Sequence, residues 1–314
     1  MPQHLSPILL TFALAACSGE ADILVDADTE VATDTDVNTN TDIDTDTDID
    51  TDTAAPDCAA LLQLDDGAGQ CRLVRVYLLD DETPAVDPGQ TDSSASSALI
   101  PALSTPLQGQ SVPSFVVTNG GLYTDWNGAI PADTDVVFFA QGATYSDNLS
   151  EDNLAALNAF VAGGGGLVRT EWGTGYSASH LDLSPITSPD SDYFEGDATW
   201  TVVASVPEAY SQMVARLPAT FTLAHGRTHV VAKTGEEAGG VDVITLATIP
   251  FDMDEDPATA NSIDIPALAV WPATSTRGTI VYLNHDLLYG TSLMDEPEIG
   301  PLFRGATYGA ASGH

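Results

Sequence analysis

Basic residues are what this 314-residue chain lacks most: it has eight Lys and Arg against 46 Asp and Glu, a formal net charge of −38. Duplex nucleic acid is held by Lys and Arg on phosphates, so nucleic acid is excluded as a partner, and an anionic membrane surface is disfavoured for the same reason. Cysteine is almost as scarce, with three in the whole chain. Two of them, Cys58 and Cys71, have no neighbouring His and supply only half of a tetrahedral zinc shell, so no metal centre is expected. No G-x-G-x-x-G run opens a helix, and no G-x-S-x-G elbow presents a serine, so neither a dinucleotide cofactor nor a serine nucleophile is implied. His225 and His229 are four apart, but Gly226 and the strand-like "THVVAK" argue against the helix that would aim both at a metal. No apolar run is long enough to remain as a membrane-spanning helix.

The longest apolar stretch, Ile8 to Ala16, is followed at once by Cys17, Ser18 and Gly19. Its length fits a cleaved export signal, although the preceding residues carry no Lys or Arg, only His4 and the terminal amine. Leu14-Ala15-Ala16-Cys17 resembles the lipobox of bacterial lipoproteins. That resemblance implies that residues 1–17 are a signal peptide, that Cys17 is acylated and becomes the mature N-terminus, and that the partner is a membrane reached through the lipid. Ser18 after the Cys implies the outer membrane. In an exported chain Cys58 and Cys71 are expected to form one disulfide, contributing about 3 kcal/mol by the chain-entropy estimate.

Residues 18–57 read as a disordered acidic spacer. From residue 20 to 57 there are fourteen acids and no base, set largely in Thr-Asp dipeptides such as "TDIDTDTDIDTDT". Charges at alternate positions repel and nothing there can bury a core. Calcium loops share the alternating carboxylates but also need a turn glycine and a closing bidentate acid, which the tract lacks. Residues 58–314, with eight bases and 32 acids, are long enough for one domain.

Within that domain "RLVRVYLL" (72–79), "SFVVT" (114–118), "DVVFFA" (135–140) and "GLVRT" (166–170) read as strands. A helix is predicted from its N-cap Ser150, through Glu151 and Asp152 in the first turn and an apolar face of Leu154, Leu157, Phe160 and Val161, to a stop at Gly163. Residues 94–108 are a weaker helix, interrupted by Pro101 and Pro106. The second half, with "TWTVVASV", "HVVAKT", "VDVITLATI", "PALAVW" and "GTIVYLNHD", reads as strand and loop that extends the sheet or adds antiparallel strands at an edge. Strands alternating with helices predict an α/β fold with a mostly parallel sheet covered on both faces.

The order of these pieces resembles the class I glutamine amidotransferase-like superfamily, including its ThuA-like branch, over about residues 72 to 289. The pieces are Asp133 and Asp135 before "VVFFA", the helix end "LNAFVAGGGGLV", a strand and turn, "ARLPATFTLAH", and "RGTIVYLNHD". The resemblance implies a flavodoxin-like sheet, with a Cys nucleophile on the turn after "GLVRT" and a His followed by an acid after the last strand. Here the turn position holds Glu171, and the terminal His falls on His285 with Asp286 adjacent. Without a Cys at the turn, thioester chemistry and amidotransferase activity are not expected. A carboxylate near an imidazole could still run acid-base chemistry. The plainer reading pairs Glu171 with Arg169 or a turn, and His285 with a loop carbonyl.

Ligands of open parallel sheets bind outside the carboxyl ends of the strands. The segments expected there carry Tyr123, Trp126, Tyr145, Trp172, Tyr176 and Tyr289 with Asp125, Glu171, His285 and Asp286. Flat rings beside planar polar groups suit a carbohydrate or another polar ring ligand; rings that simply pack the loops together are the alternative. The resulting expectation is a lipid-anchored, exported, non-enzymatic ligand-binding or surface-structural module without a cofactor. A divergent hydrolase acting on a glycan through Glu171 and His285 is the rival, and a scaffold for partner proteins a third reading.

Overall fold

In the computed structural model the described residues are 56–80, 82–83, 93–140, 149–170, 183–189, 193–194, 196–224, 227–252, 262–285 and 297–313. All fall in one compact unit, Thr53–His314. The expected signal peptide, Cys17 and nearly all of the spacer lie outside the described residues.

Among the described residues nine strands form the main sheet: β1 (Val74–Asp80), β2 (Phe115–Leu122), β3 (Val136–Phe139), β4 (Gly166–Thr170), β5 (Asp197–Val202), β6 (Thr220–Ala224), β7 (Ile244–Asp252), β8 (Ser262–Trp271) and β9 (Ile280–Leu283). Their spatial order is β6-β5-β7-β8-β9-β4-β3-β1-β2. From β2 to β9 every pairing is parallel, and from β9 to β6 every pairing is antiparallel. The parallel half therefore runs 2-1-3-4 with β9 in the fifth place, the flavodoxin-like order. The antiparallel strands are inserted in the chain between the fourth and fifth parallel ones.

Residue character explains the division. All residues of β3, β4 and β9 are buried, as is every residue of β1 except Arg75; such continuous apolar strands require cover on both faces. In β5 buried Ala198 and Trp200 alternate with exposed Asp197, Thr199 and Thr201, the period of a sheet with one open face.

The covering helices are α1 (Ala95–Ser104), α2 (Glu151–Ala162), the short α3 (Ser211–Val214) and α4 (Ile299–Ser312). α1 links β1 to β2 and α2 links β3 to β4, in opposite directions across the sheet, so right-handed crossovers put them on opposite faces. α4 packs on α1, α3 and the parallel strands. Ser150 caps α2 as expected, its hydroxyl accepting the N–H of Asn153 at 3.2 Å. α1 continues through Pro101, which was expected to interrupt it, because buried Leu99, Ala102 and Leu103 hold that turn in the core. It ends before Pro106.

α4 lies in a segment with no helix signal, since four glycines interrupt "IGPLFRGATYGAASG". Packing is the reason for them. A Cβ on Gly166 would collide with the main chain of Ala310, and one on Gly305 with the main-chain carbonyl of Met213, so these glycines set how closely α4 meets β4 and α3. Opposite, at the amino edge, Arg72 grips Asp135 with both terminal nitrogens at 2.7 and 2.9 Å, while Asp135 also accepts the Arg75 N–H at 2.8 Å. The Asp before "VVFFA" thus ties the starts of β1 and β3 together. Cys58 and Cys71 are joined in a disulfide, with Cα atoms 5.2 Å apart. It closes a hairpin in which Leu64–Asp65 pairs with Cys71–Arg72.

Candidate functional site

The carboxyl ends of the parallel strands meet at one edge because their registers align. Leu283 at the end of β9 lies beside Thr170 at the end of β4, and Arg169 lies beside both Tyr282 and Phe139. Phe138 and Gly166 face α4, so Arg169, which alternates with Gly166 and Val168, points to the opposite face together with Tyr282. Beneath this edge are polar residues withdrawn from solvent: Asp80 at the end of β1, Arg169 and Thr170 at the end of β4, and Asn284 and His285 after β9.

Asn284 holds the edge together. Its amide donates to the carbonyls of Thr228 and Pro266, both at 3.1 Å, and its oxygen accepts the Thr228 N–H at 3.2 Å. His285 is fully buried, its ring 6.4 Å from that of Trp200, which stacks in turn on Phe221. Arg169 is the residue at this edge that sequence reasoning underweighted, treating it only as a partner for Glu171. A charged side chain inside "GLVRT", an otherwise continuous buried strand, was the available signal. Burial pulls its guanidinium down to about 10, with the nearby Tyr282 acting in the opposite direction. It remains a cation at neutral pH, and a buried cation with a phenol beside it is suited to holding an anionic or strongly polar group.

Two rings expected to line a ligand edge are buried. Tyr123 is buried edge-on against Phe139 at 5.3 Å, and its N–H donates to the Asp80 carbonyl at 2.9 Å. Trp126 is buried as well, its indole N–H donating to Ala129 at 3.0 Å while its own carbonyl accepts the Asn153 amide at 2.6 Å. Asp125 follows Tyr123 in the same loop and is exposed. Glu171, Asp286, Tyr145, Trp172, Tyr176, Tyr289 and His225 lie outside the described residues. His229 is buried in a stack on Phe251 at 5.1 Å.

Two cavities among the described residues open elsewhere. One of about 510 Å³ lies beside the disulfide, between Asp57, Arg72 and Tyr308. Another of about 600 Å³ lies where α1 ends, between Arg216 and Arg304.

The chain matches no protein-family model and no curated protein. Among solved structures it is similar to a cytoplasmic protein from Salmonella typhimurium, 14% identical with a TM-score of 0.48 over 76% of this chain and 99% of that one. A putative ThuA-like protein from Parabacteroides merdae is 12% identical with a TM-score of 0.48 over 76% and 90% of the two chains. A second putative ThuA-like protein, from Bacteroides uniformis, is 12% identical with a TM-score of 0.43 over 74% and 88%. The α/β assignment rests on the strand order and registers above.

Proposed function

We propose that this chain is an exported lipoprotein, anchored through acylated Cys17, whose α/β domain stands off a membrane on the acidic spacer and works as a non-enzymatic ligand-binding or surface-structural module. The Cys58–Cys71 disulfide carries the reading. Such bonds persist in oxidising compartments and are rare where thiols are kept reduced, in agreement with the export signal read at residues 1–17. The outer membrane is the destination that Ser18 indicates.

The disulfide also bears on chemistry. Both cysteines of the domain are bonded to each other, so neither is a thiol that could attack an amide. In a chain of amidotransferase-like or ThuA-like descent, Glu171 at the turn then marks a site that has lost its nucleophile. The buried cation of Arg169 and the enclosed His285 fit an edge given over to packing and polar binding, with a carbohydrate or another polar molecule as the ligand class. Replacing Cys17 by Ser tests the anchoring: the protein should leave the membrane fraction or stall in processing. Unchanged membrane partitioning would remove the lipoprotein reading.

A hydrolase using Glu171 and His285 is the second reading, favoured by the parallel register that ends β9 beside Thr170. Glu171→Gln separates the two. Under the binding reading it leaves the fold and any ligand affinity largely intact, and under the hydrolase reading it abolishes turnover of a glycan substrate.

A further inference from the structure

Two of the chain's eight basic residues, Arg216 and Arg304, reach the same cavity, whose wall contains no acid among the described residues. Arg216 follows α3 and Arg304 lies within α4, and the bare Gly305 lets these two helices approach until main chain meets main chain. The two guanidiniums are therefore brought together by packing. Each makes one anchoring bond: Arg216 Nη2 donates to the Ala60 carbonyl at 2.6 Å, and Arg304 Nη1 to the Thr105 carbonyl at 3.3 Å. The Nη1 of Arg216 and the Nε of Arg304 are shielded and meet no acceptor among the described residues.

Neither arginine pairs with a described carboxylate, although the chain carries 46 acids. Burial holds both below the ordinary arginine value, and the charge of Arg216 pushes Arg304 further down. Like charges held together in a partly desolvated place repel unless an anion lies between them. Arginine forks match the planar oxygens of carboxylate and phosphate.

We propose that this cavity binds a small free molecule through a phosphate or carboxylate group held between Arg216 and Arg304. Its volume of about 600 Å³ falls among small-molecule sites and leaves room for an organic portion against Leu61, Pro106 and Leu107. The site is separate from the carboxyl edge and does not depend on the reading of that edge.

Titration of the full chain with inorganic phosphate at constant ionic strength, followed by calorimetry, tests it. One saturable site per chain is expected, weakened about tenfold or more by Arg216→Gln, the loss of one charge-assisted fork. Arg304→Lys, which keeps the charge but not the fork, should weaken it as well while the thermal transition shows the protein folded; it serves as the readout where Arg216→Gln does not fold. The absence of saturable binding, or binding undiminished in the folded variants, overturns the proposal. The spacer's own carboxylates are the competing source of the anion. A tenfold gain in phosphate affinity on replacing Asp50 and Asp52 by Asn would give the cavity to the spacer and overturn the free-ligand assignment.

Discussion

Leu283 stands beside Thr170 in parallel register, so β9 and β4 end at the same edge and deliver His285 to the edge from which the chain passes on to Glu171. At that edge His285 is fully buried near Trp200. As a packed residue, its replacement by Ala should lower stability by about 2–4 kcal/mol, as for other large core side chains cut back to Ala. Denaturant unfolding measures this. Unchanged or increased stability would mark His285 as a residue kept for function at the expense of stability.

Asp135 accepts three hydrogen bonds, two from the Arg72 guanidinium and one from the Arg75 N–H at the start of β1. Asp135→Asn removes the charge and one acceptor of the Arg72 fork, and is expected to cost about 1–3 kcal/mol of unfolding free energy. Arg72→Met, changing the more exposed partner, should cost less. Equal stability of wild type and Asp135→Asn would show that the fork holds nothing.

The face of α4 discriminates between two glycines one turn apart. A methyl group on Gly305 meets the Met213 carbonyl, which belongs to the backbone, whereas one on Gly309 meets the Met213 thioether, which can swing aside. Gly305→Ala should therefore cost about 1–3 kcal/mol by overpacking, and Gly309→Ala clearly less. The reverse order in thermal or denaturant unfolding would contradict the packing described.

Burial pulls the Arg169 guanidinium down to about 10, well below the ordinary arginine value. A cation whose value is depressed by folding destabilises while protonated, so its burial cost is fully present below about pH 10 and is relieved as pH rises above it toward the ordinary arginine value. The difference in unfolding free energy between wild type and Arg169→Met should be flat through the neutral range and should turn in favour of wild type only in strong alkali. A slope already present at neutral pH would contradict the assignment.

The parallel half was legible because its rules are local. "GLVRT" is β4 residue for residue, and Ser150, Leu157 and Gly163 delimit and orient α2 as read. The antiparallel half was seen as strands but not as an order, since nothing in Thr201 or Ala269 states its partner across the sheet. Pro250 and Pro266 stand inside β7 and β8, where a proline removes a ladder donor and so gives no sign of a central strand. α4 was hidden because its glycines answer to neighbours far away in sequence. Tyr123 and Trp126 show the same limit: an aromatic loop reads alike whether its rings are open to solvent or buried, as these are. Arg216 and Arg304 are 88 positions apart in sequence, and only the contact of α3 with α4 makes them one site.

The central claim, export and anchoring through Cys17 with an oxidised domain, is met most directly by the intact mass of the protein extracted from membranes under non-reducing conditions. The account predicts a mature chain that begins at an acylated Cys17 and has no free thiol at Cys58 or Cys71. A chain that keeps residues 1–16, carries no lipid and has both thiols free would contradict it.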